Sequence, residues 1–454
     1  MSSAGNPPMN QFDLLLTGAT VLTADPSNPQ IDNAEIGLTG GRIVHLTRHD
    51  GAAPPRPAKR TLDLSGHVVT PGFVNIHTHA NLSMVRGVAE DLGFAPSYTP
   101  GIPQGQMVRP DEAYAIARLG ALEAMLFGST LINDTFVHAD IVTPAMAELG
   151  LRVFSCGRIY DADLAGIPAG RWEHRDEIGE HTLNAALELA ERYHGRTCSR
   201  IGVQLAAHAP DTCSTPFLRR IYEAADRHGL RITTHLSQSK LEVARILDRD
   251  GMSPPELLDE VGLLTDTLIA AHCIHVSEDD IARIGRAGVN VAHIPKGNAT
   301  GGTMAPTSRL RTAGARLTLG TDNMHADMVE VMRWALCIGR LQEGAATSDW
   351  QPETVFQMAT MSGARAMGLE DEIGSIEIGK RADLVAFDFR RPHLTPSINP
   401  LGNIVHVAHG RDVAHVIVDG EIVVEAGRPT RVDADAIRRE AQSAIAALWA
   451  RARA

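Results

Sequence analysis

The 454-residue chain reads as an α/β protein, a (β/α)8 TIM-like barrel with a small β-sandwich domain built from both chain ends. Three observations predict this. Short apolar runs alternate with helical stretches from about residue 73 to residue 321, the rhythm of a parallel sheet with crossover helices. Several of those runs end in His or Asp, at the strand ends where a barrel gathers its reactive side chains. Segments of hairpin character, alternating in polarity and broken by Gly, Asp and Pro, flank the core on both sides.

Taken in order, residues 1–70 form the N-terminal part of the β-sandwich, with strands expected at 13–16, 20–23, 34–38 and 42–46. Residues 71–375 form the barrel. Its strands are expected at 73–79, 129–136, 151–159, 201–208, 230–236, 267–272, 290–294 and 316–321, and helices at 111–128, 183–194, 216–228 and 278–287. The segment 80–110, with Pro96, Pro100, Pro103 and Pro110, reads as a long irregular loop, which inside a compact domain implies a lid or substrate wall. Residues 376–432 return to strand texture at 382–388 and 413–424 and complete the β domain, and 433–454 read as a surface helix without chemistry. An open doubly wound sheet would carry a Gly-rich phosphate turn after its first strand, and no GxGxxG follows residue 79.

Composition narrows the function. A formal charge of −12 without basic clusters disfavours nucleic acid as a partner and suits a small neutral or cationic substrate. No run of about 18 apolar residues suggests a membrane span, and the start of the chain lacks the pattern of a secretory leader, so a cytoplasmic protein is expected. Five cysteines without CxxC spacing argue against both a disulfide framework and a thiolate zinc site.

The chemistry is concentrated in a few positions. His77 and His79 are two apart, so on an extended strand both imidazoles face the same side, as a divalent ion requires. Taken alone, such a pair is as readily two polar residues at a strand end. His235, His272 and Asp322 recur at the ends of later strands, which makes a shared site the stronger reading. Imidazole nitrogens and a carboxylate oxygen that leave one position open allow a held cation to lower the pKa of water toward about 7.

The ordered set Pro71-Gly72-Phe73-Val74-Asn75-Ile76-His77-Thr78-His79, Thr234-His235, Ala271-His272, Gly320-Thr321-Asp322 and Gly374-Ser375-Ile376-Glu377-Ile378-Gly379-Lys380-Arg381-Ala382-Asp383-Leu384 resembles the amidohydrolase superfamily. The nearest branch is that of cytosine deaminases, triazine hydrolases and S-adenosylhomocysteine-type deaminases. The resemblance implies a metal-dependent hydrolase with His77, His79, His235 and Asp322 as ligands. Asp322 would also carry the proton of the nucleophilic water, and His272 would orient that water or stabilise the oxyanion. Dinuclear members carry a bridging lysine on strand 4, and 201–210 here contains none, so one divalent ion is expected, zinc first, with iron or cobalt as alternatives. His208 matches a substrate-contacting position, and homo-oligomers are common in the family.

Two departures matter. Where the deaminases place a proton-carrying glutamate three residues after the strand-5 histidine, this chain has Gln238, which can hydrogen bond but cannot shuttle a proton. Where they more often show a Ser-Asn pair on strand 7, it has His293-Ile294-Pro295-Lys296-Gly297-Asn298, in which Lys296 is a candidate substrate-facing charge or a solvated side chain. Arg158 on strand 3 could meet an anionic substrate group or sit in an ion pair. These features favour cleavage of an amide, urea or carbamate over deamination or dechlorination of a purine, pterin or triazine ring. A non-catalytic binding protein on the same scaffold is the remaining alternative, and such a protein has no need to keep all four ligands. Met328, Met332 and Trp334 read as packing residues.

Overall fold

The computed structural model describes residues 11–49, 56–92, 99–195, 200–322 and 325–453. Eight parallel strands form the barrel: β1 (Phe73–Thr78), β2 (Ser129–Phe136), β3 (Arg152–Ile159), β4 (Ile201–Ala207), β5 (Ile232–Leu236), β6 (Ile269–His272), β7 (Asn290–His293) and β8 (Arg316–Leu319). Each pairs with its sequence neighbour. Every residue of β1, β2, β5, β6 and β7 is buried, as befits parallel strands covered on both faces.

The circle closes beyond the strand ends. The Asp322 N–H donates to the His77 carbonyl and the His79 N–H to the Asp322 carbonyl, each at 2.9 Å. Gly320 makes this approach feasible, because a Cβ there would lie 2.8 Å from the His77 carbonyl oxygen. Closure therefore brings three expected ligands together through backbone bonds.

The helices Pro110–Leu126, Thr215–His228 and Glu278–Ala287 stand within two residues of expectation. The helix expected from 183 starts earlier, at Asp176, and runs to Tyr193, with Asp176 and Glu177 offsetting the dipole in its first turn. The segment 80–110 is less irregular than its prolines suggest. It holds a 3-10 helix at Ala80–Val85, a short α-helix at Ala89–Leu92 and a 3-10 turn at Gly105–Met107, while Pro96 lies outside the described residues. Leu82, Met84 and Val85 are buried, and a backbone buried with them must pair its own polar groups.

The chain ends build one mixed sheet, nine-stranded among the described residues. The expected strands 13–16 and 20–23 are a single strand, Phe12–Leu22, whose register shifts at Thr17, Ala19 and Val21 absorb the break near Gly18. Two further strands, Ala58–Asp63 and His67–Pro71, pair parallel to it. The first was hidden by its mainly exposed, charged sequence and the second by its uniform burial, neither of which alternates. Arg152 of β3 ties barrel to sheet, 3.1 Å from Asp383 and 2.8 Å from Asp419. The terminal helix Ala434–Arg453 lies along Pro110–Leu126. Met328 and Met332 are fully buried packing residues, but Trp334, on the same helix, is 39% exposed and is not.

Candidate metal centre

The strand ends share a backbone device. Ser237 after β5, His272 and Cys273 at the end of β6, and Asp322 after β8 all have positive φ, at 49°, 76°, 50° and 62°. Non-glycine residues adopt this left-handed region at a cost, and such strain concentrates at functional sites. Here it interrupts the extended backbone at or just beyond the ends of β5, β6 and β8.

Two overlapping groups result, His77/His79/His235 and His77/His272/Asp322, with the ligand atoms in each group within 4.8 Å of one another. His79 donates its Nδ1–H to the Thr135 carbonyl at 2.5 Å, and His235 donates its Nδ1–H to the His208 carbonyl at 2.5 Å. Each Nε2 is then a bare lone pair, and the two face each other at 3.2 Å. Asp322 Oδ1 lies 3.4 Å from His79 Nε2 and 3.8 Å from His77 Nε2, while Oδ2 is 4.0 Å from His272 Nε2. Both ring nitrogens of His77 are buried without a hydrogen-bond partner. Lone pairs pressed together this way repel unless a cation sits among them, so the donor set fits a divalent ion and its nitrogen/oxygen chemistry fits zinc.

Burial is the largest influence on every group here. It pushes the His77, His79, His208 and His235 imidazoles well below their ordinary range, reinforced by neighbouring imidazoles and, for the first three, by Arg158. Burial also lowers His272 to about 4, against the opposing contact of its Nδ1 with Asn298 Oδ1 at 3.0 Å. Neutral imidazoles are the form that binds metal. Burial raises Asp322 to about 7, against the nearby Arg158 guanidinium.

The other expected positions divide. His208 borders the cluster, its ring 5.2 Å from that of His235 and its Nδ1 2.9 Å from Thr212 Oγ1. Arg158 lies alongside it, 3.5 Å from the Thr135 carbonyl and 5.2 Å from the Phe136 ring centroid. Arg158 and Phe136 line a cavity of about 720 Å³ with Gly105, Gln106 and Val108. Lys296 Nζ lies 2.8 Å from Glu330 Oε2, so its charge has a protein partner. Gln238 is buried behind the turn at Ser237.

Sequence reasoning missed Glu242. This fully buried carboxylate accepts the Ser237 and Gln238 backbone N–H groups at 2.7 and 2.8 Å, holding the turn that places Gln238. The spelling Ser239-Lys240-Leu241-Glu242 is a capping-box signal that could have drawn attention to it. Ser239 does cap, accepting the Glu242 N–H at 3.0 Å, but the glutamate reaches back past it.

Residues 68–423 match the amidohydrolase family profile. The chain belongs to this family. It is 37% identical over 417 residues to a 5-methylthioadenosine/S-adenosylhomocysteine deaminase of Desulforudis audaxviator, covering 90% of this chain and 93% of that one. It is 31% identical to a 5'-deoxyadenosine deaminase of Methanosarcina acetivorans, covering 97% and 100%. Among solved structures, a zinc-bound adenosine deaminase from Xanthomonas campestris superposes with a TM-score of 0.85 at 27% identity, over 97% of this chain and 99% of that one. A zinc-bound atrazine chlorohydrolase from Arthrobacter aurescens TC1 shares the fold, with a TM-score of 0.82 at 20% identity over 95% and 100%. This amidohydrolase is accordingly an enzyme that hydrolyses carbon–nitrogen bonds other than peptide bonds in small molecules. Among the described residues, no helix is long and apolar enough to cross a membrane.

Proposed function

We propose that this amidohydrolase cleaves an amide, urea or carbamate of a small molecule, using one zinc ion held by His77, His79, His235 and Asp322. The observation that carries the reading is the pair of bare Nε2 atoms of His79 and His235, 3.2 Å apart, with Asp322 Oδ1 3.4 Å from the first. A single ion is favoured because β4 offers no lysine. When bound, the ion supplies Lewis acidity and makes water a nucleophile near neutral pH.

The chain's own groups do the rest. Asp322 accepts the proton of the attacking water as the oxygen adds to the substrate carbon. It returns that proton to the departing nitrogen as the carbon–nitrogen bond breaks, so the amine leaves neutral. His272, whose Nδ1–H is held by Asn298 Oδ1, turns its Nε2 lone pair toward Asp322 and orients the attacking water by accepting a hydrogen bond from it. His208 and Arg158 bind the substrate, and Gln238 orients it by hydrogen bonding without carrying a proton.

A second reading, deamination of an adenosine-type nucleoside, is favoured by the names of the relatives at 31–37% identity. Gln238 counts against it. Purified, zinc-loaded enzyme assayed for ammonia or amine release on amides, ureas and carbamates beside 5'-deoxyadenosine, S-adenosylhomocysteine, pterins and triazines decides between them. Turnover confined to the ring compounds would replace the first reading with the second.

A further inference from the structure

The seam between the last and first strands is not built like the others. Neighbouring strands from β1 to β8 are joined by parallel ladders, but among the described residues β8 and β1 share a single bridge, Thr78 opposite Asp322. Side chains complete the closure. The Asn75 carboxamide accepts the Thr321 backbone N–H at 3.1 Å and donates to Thr321 Oγ1 at 2.8 Å, standing in for a peptide group of the missing ladder. Asn is depleted in strands, and a buried amide is costly unless bonded, so these two contacts account for its place in β1. Thr78 Oγ1 donates to the Asp322 carbonyl at 3.0 Å, and a longer contact of 3.4 Å links it to Thr321 Oγ1. All three side chains are buried. The Asp322 carbonyl thus takes the Thr78 hydroxyl as well as the His79 N–H, which over-determines a residue held at a φ of 62°. His77, His79 and Asp322 lie on or just past the two strands so joined, with Asp322 Oδ1 3.8 and 3.4 Å from the two imidazoles.

We propose that Asn75, Thr78 and Thr321 are positioning residues that lock Asp322 against His77 and His79 and so set the ligand geometry of the centre. The inference rests on the reading of that cluster as the metal centre. Asn75 and Thr321 fix the residue before Asp322, and Thr78 fixes Asp322 itself.

The test uses the full-length protein and the variants Thr78→Val, Thr321→Val, Thr78→Ser and Thr321→Ser. Thr318→Val is the control, because Thr318 is buried on the same strand β8 but its hydroxyl donates to the Val291 carbonyl, at 3.1 Å, away from the seam. Zinc affinity by competition with a chromogenic chelator, the visible spectrum of the cobalt-loaded protein and the melting temperature are measured, with amide hydrogen exchange across 73–79 and 316–322 in metal-free protein. The Val variants should bind zinc about 10–100-fold more weakly, as when other groups that orient metal ligands are lost. They should also shift the cobalt d–d bands, which report ligand geometry, and exchange faster across the seam. The Ser variants, which keep the hydroxyl, should restore all three. Thr318→Val should melt lower without changing zinc affinity or the cobalt spectrum. Val variants that match this control in both metal readouts would overturn the proposal, and so would Ser variants that fail to rescue. Thr78→Val leaves Asn75 and Thr321 bonded to each other and keeps the test decisive if Thr321→Val does not fold. If the parent takes up neither zinc nor cobalt, the metal reading fails, and exchange in the metal-free protein alone decides whether these side chains lock the seam.

Discussion

Glu242 Oε2 accepts the backbone N–H of Gln238 at 2.8 Å, so the residue standing where related deaminases place their acid is itself held by a buried carboxylate. Burial, reinforced by Asp211, pushes Glu242 up from 4.5 to about 8, against the backbone N–H bonds. The folded state therefore binds this proton more tightly than the unfolded chain. The stabilisation is complete below about pH 4.5, declines as pH rises, and is lost through pH 8. Urea midpoints measured from pH 5 to 8.5 should fall more steeply for the parent than for Glu242→Gln, which has no proton to lose. Parallel curves would show that Glu242 does not titrate in this range.

Gln238→Glu should confer ring deamination, because a carboxyl at this place can protonate a ring nitrogen and the leaving amine. General acid catalysis is worth about 10²–10⁴-fold, and ammonia release from 5'-deoxyadenosine measures it. No gain would mean that the substrate is set by the walls of the cavity and not by the missing acid.

Removing a ligand should remove the ion. His77→Ala should bind little zinc by elemental analysis and show no turnover. Stripping the parent with a chelator should lower its melting temperature, since an ion at a thousandfold its Kd stabilises the native state by about 4 kcal/mol. A chelated protein that melts as before and still turns over would defeat the metal reading.

Arg152→Met should destabilise the whole chain. It leaves Asp383, 2% exposed at its side chain, with a buried charge and no guanidinium at 3.1 Å. Breaking a buried pair by removing one partner costs about 3–5 kcal/mol, readable as a shift in the urea transition. An effect under about 1 kcal/mol would place the pair in the class of exposed bridges.

Asn298→Ala should lower kcat/KM by about 10–100-fold without loss of zinc, as for other groups that orient residues around a metal. Its carboxamide oxygen lies 3.0 Å from His272 Nδ1. An unchanged kcat/KM would show that the ring is oriented by packing alone.

The barrel strands were legible because their apolar runs are short and bounded, and the residues of the His/Asp cluster because each sits at a run's end. The early start of the helix at Asp176 and the two unexpected sheet strands were not, since charged first turns and non-alternating strands carry no periodic signal. Lys296 shows the same limit: sequence offered a substrate-facing charge or a solvated one, and the fold supplied Glu330, 34 residues away.

By itself the sequence determined the order of strands, the residue types of the centre and the absence of a second-metal lysine, because these depend on neighbours within a few positions. Tertiary structure decided the rest. Barrel closure joined Asp322 to His77 and His79 by backbone bonds, positive φ interrupted the backbone at Ser237, His272 and Asp322, and Arg451 found Glu112 across 339 residues. Such contacts answer to the shape of the folded surface, to which no local pattern of side chains corresponds.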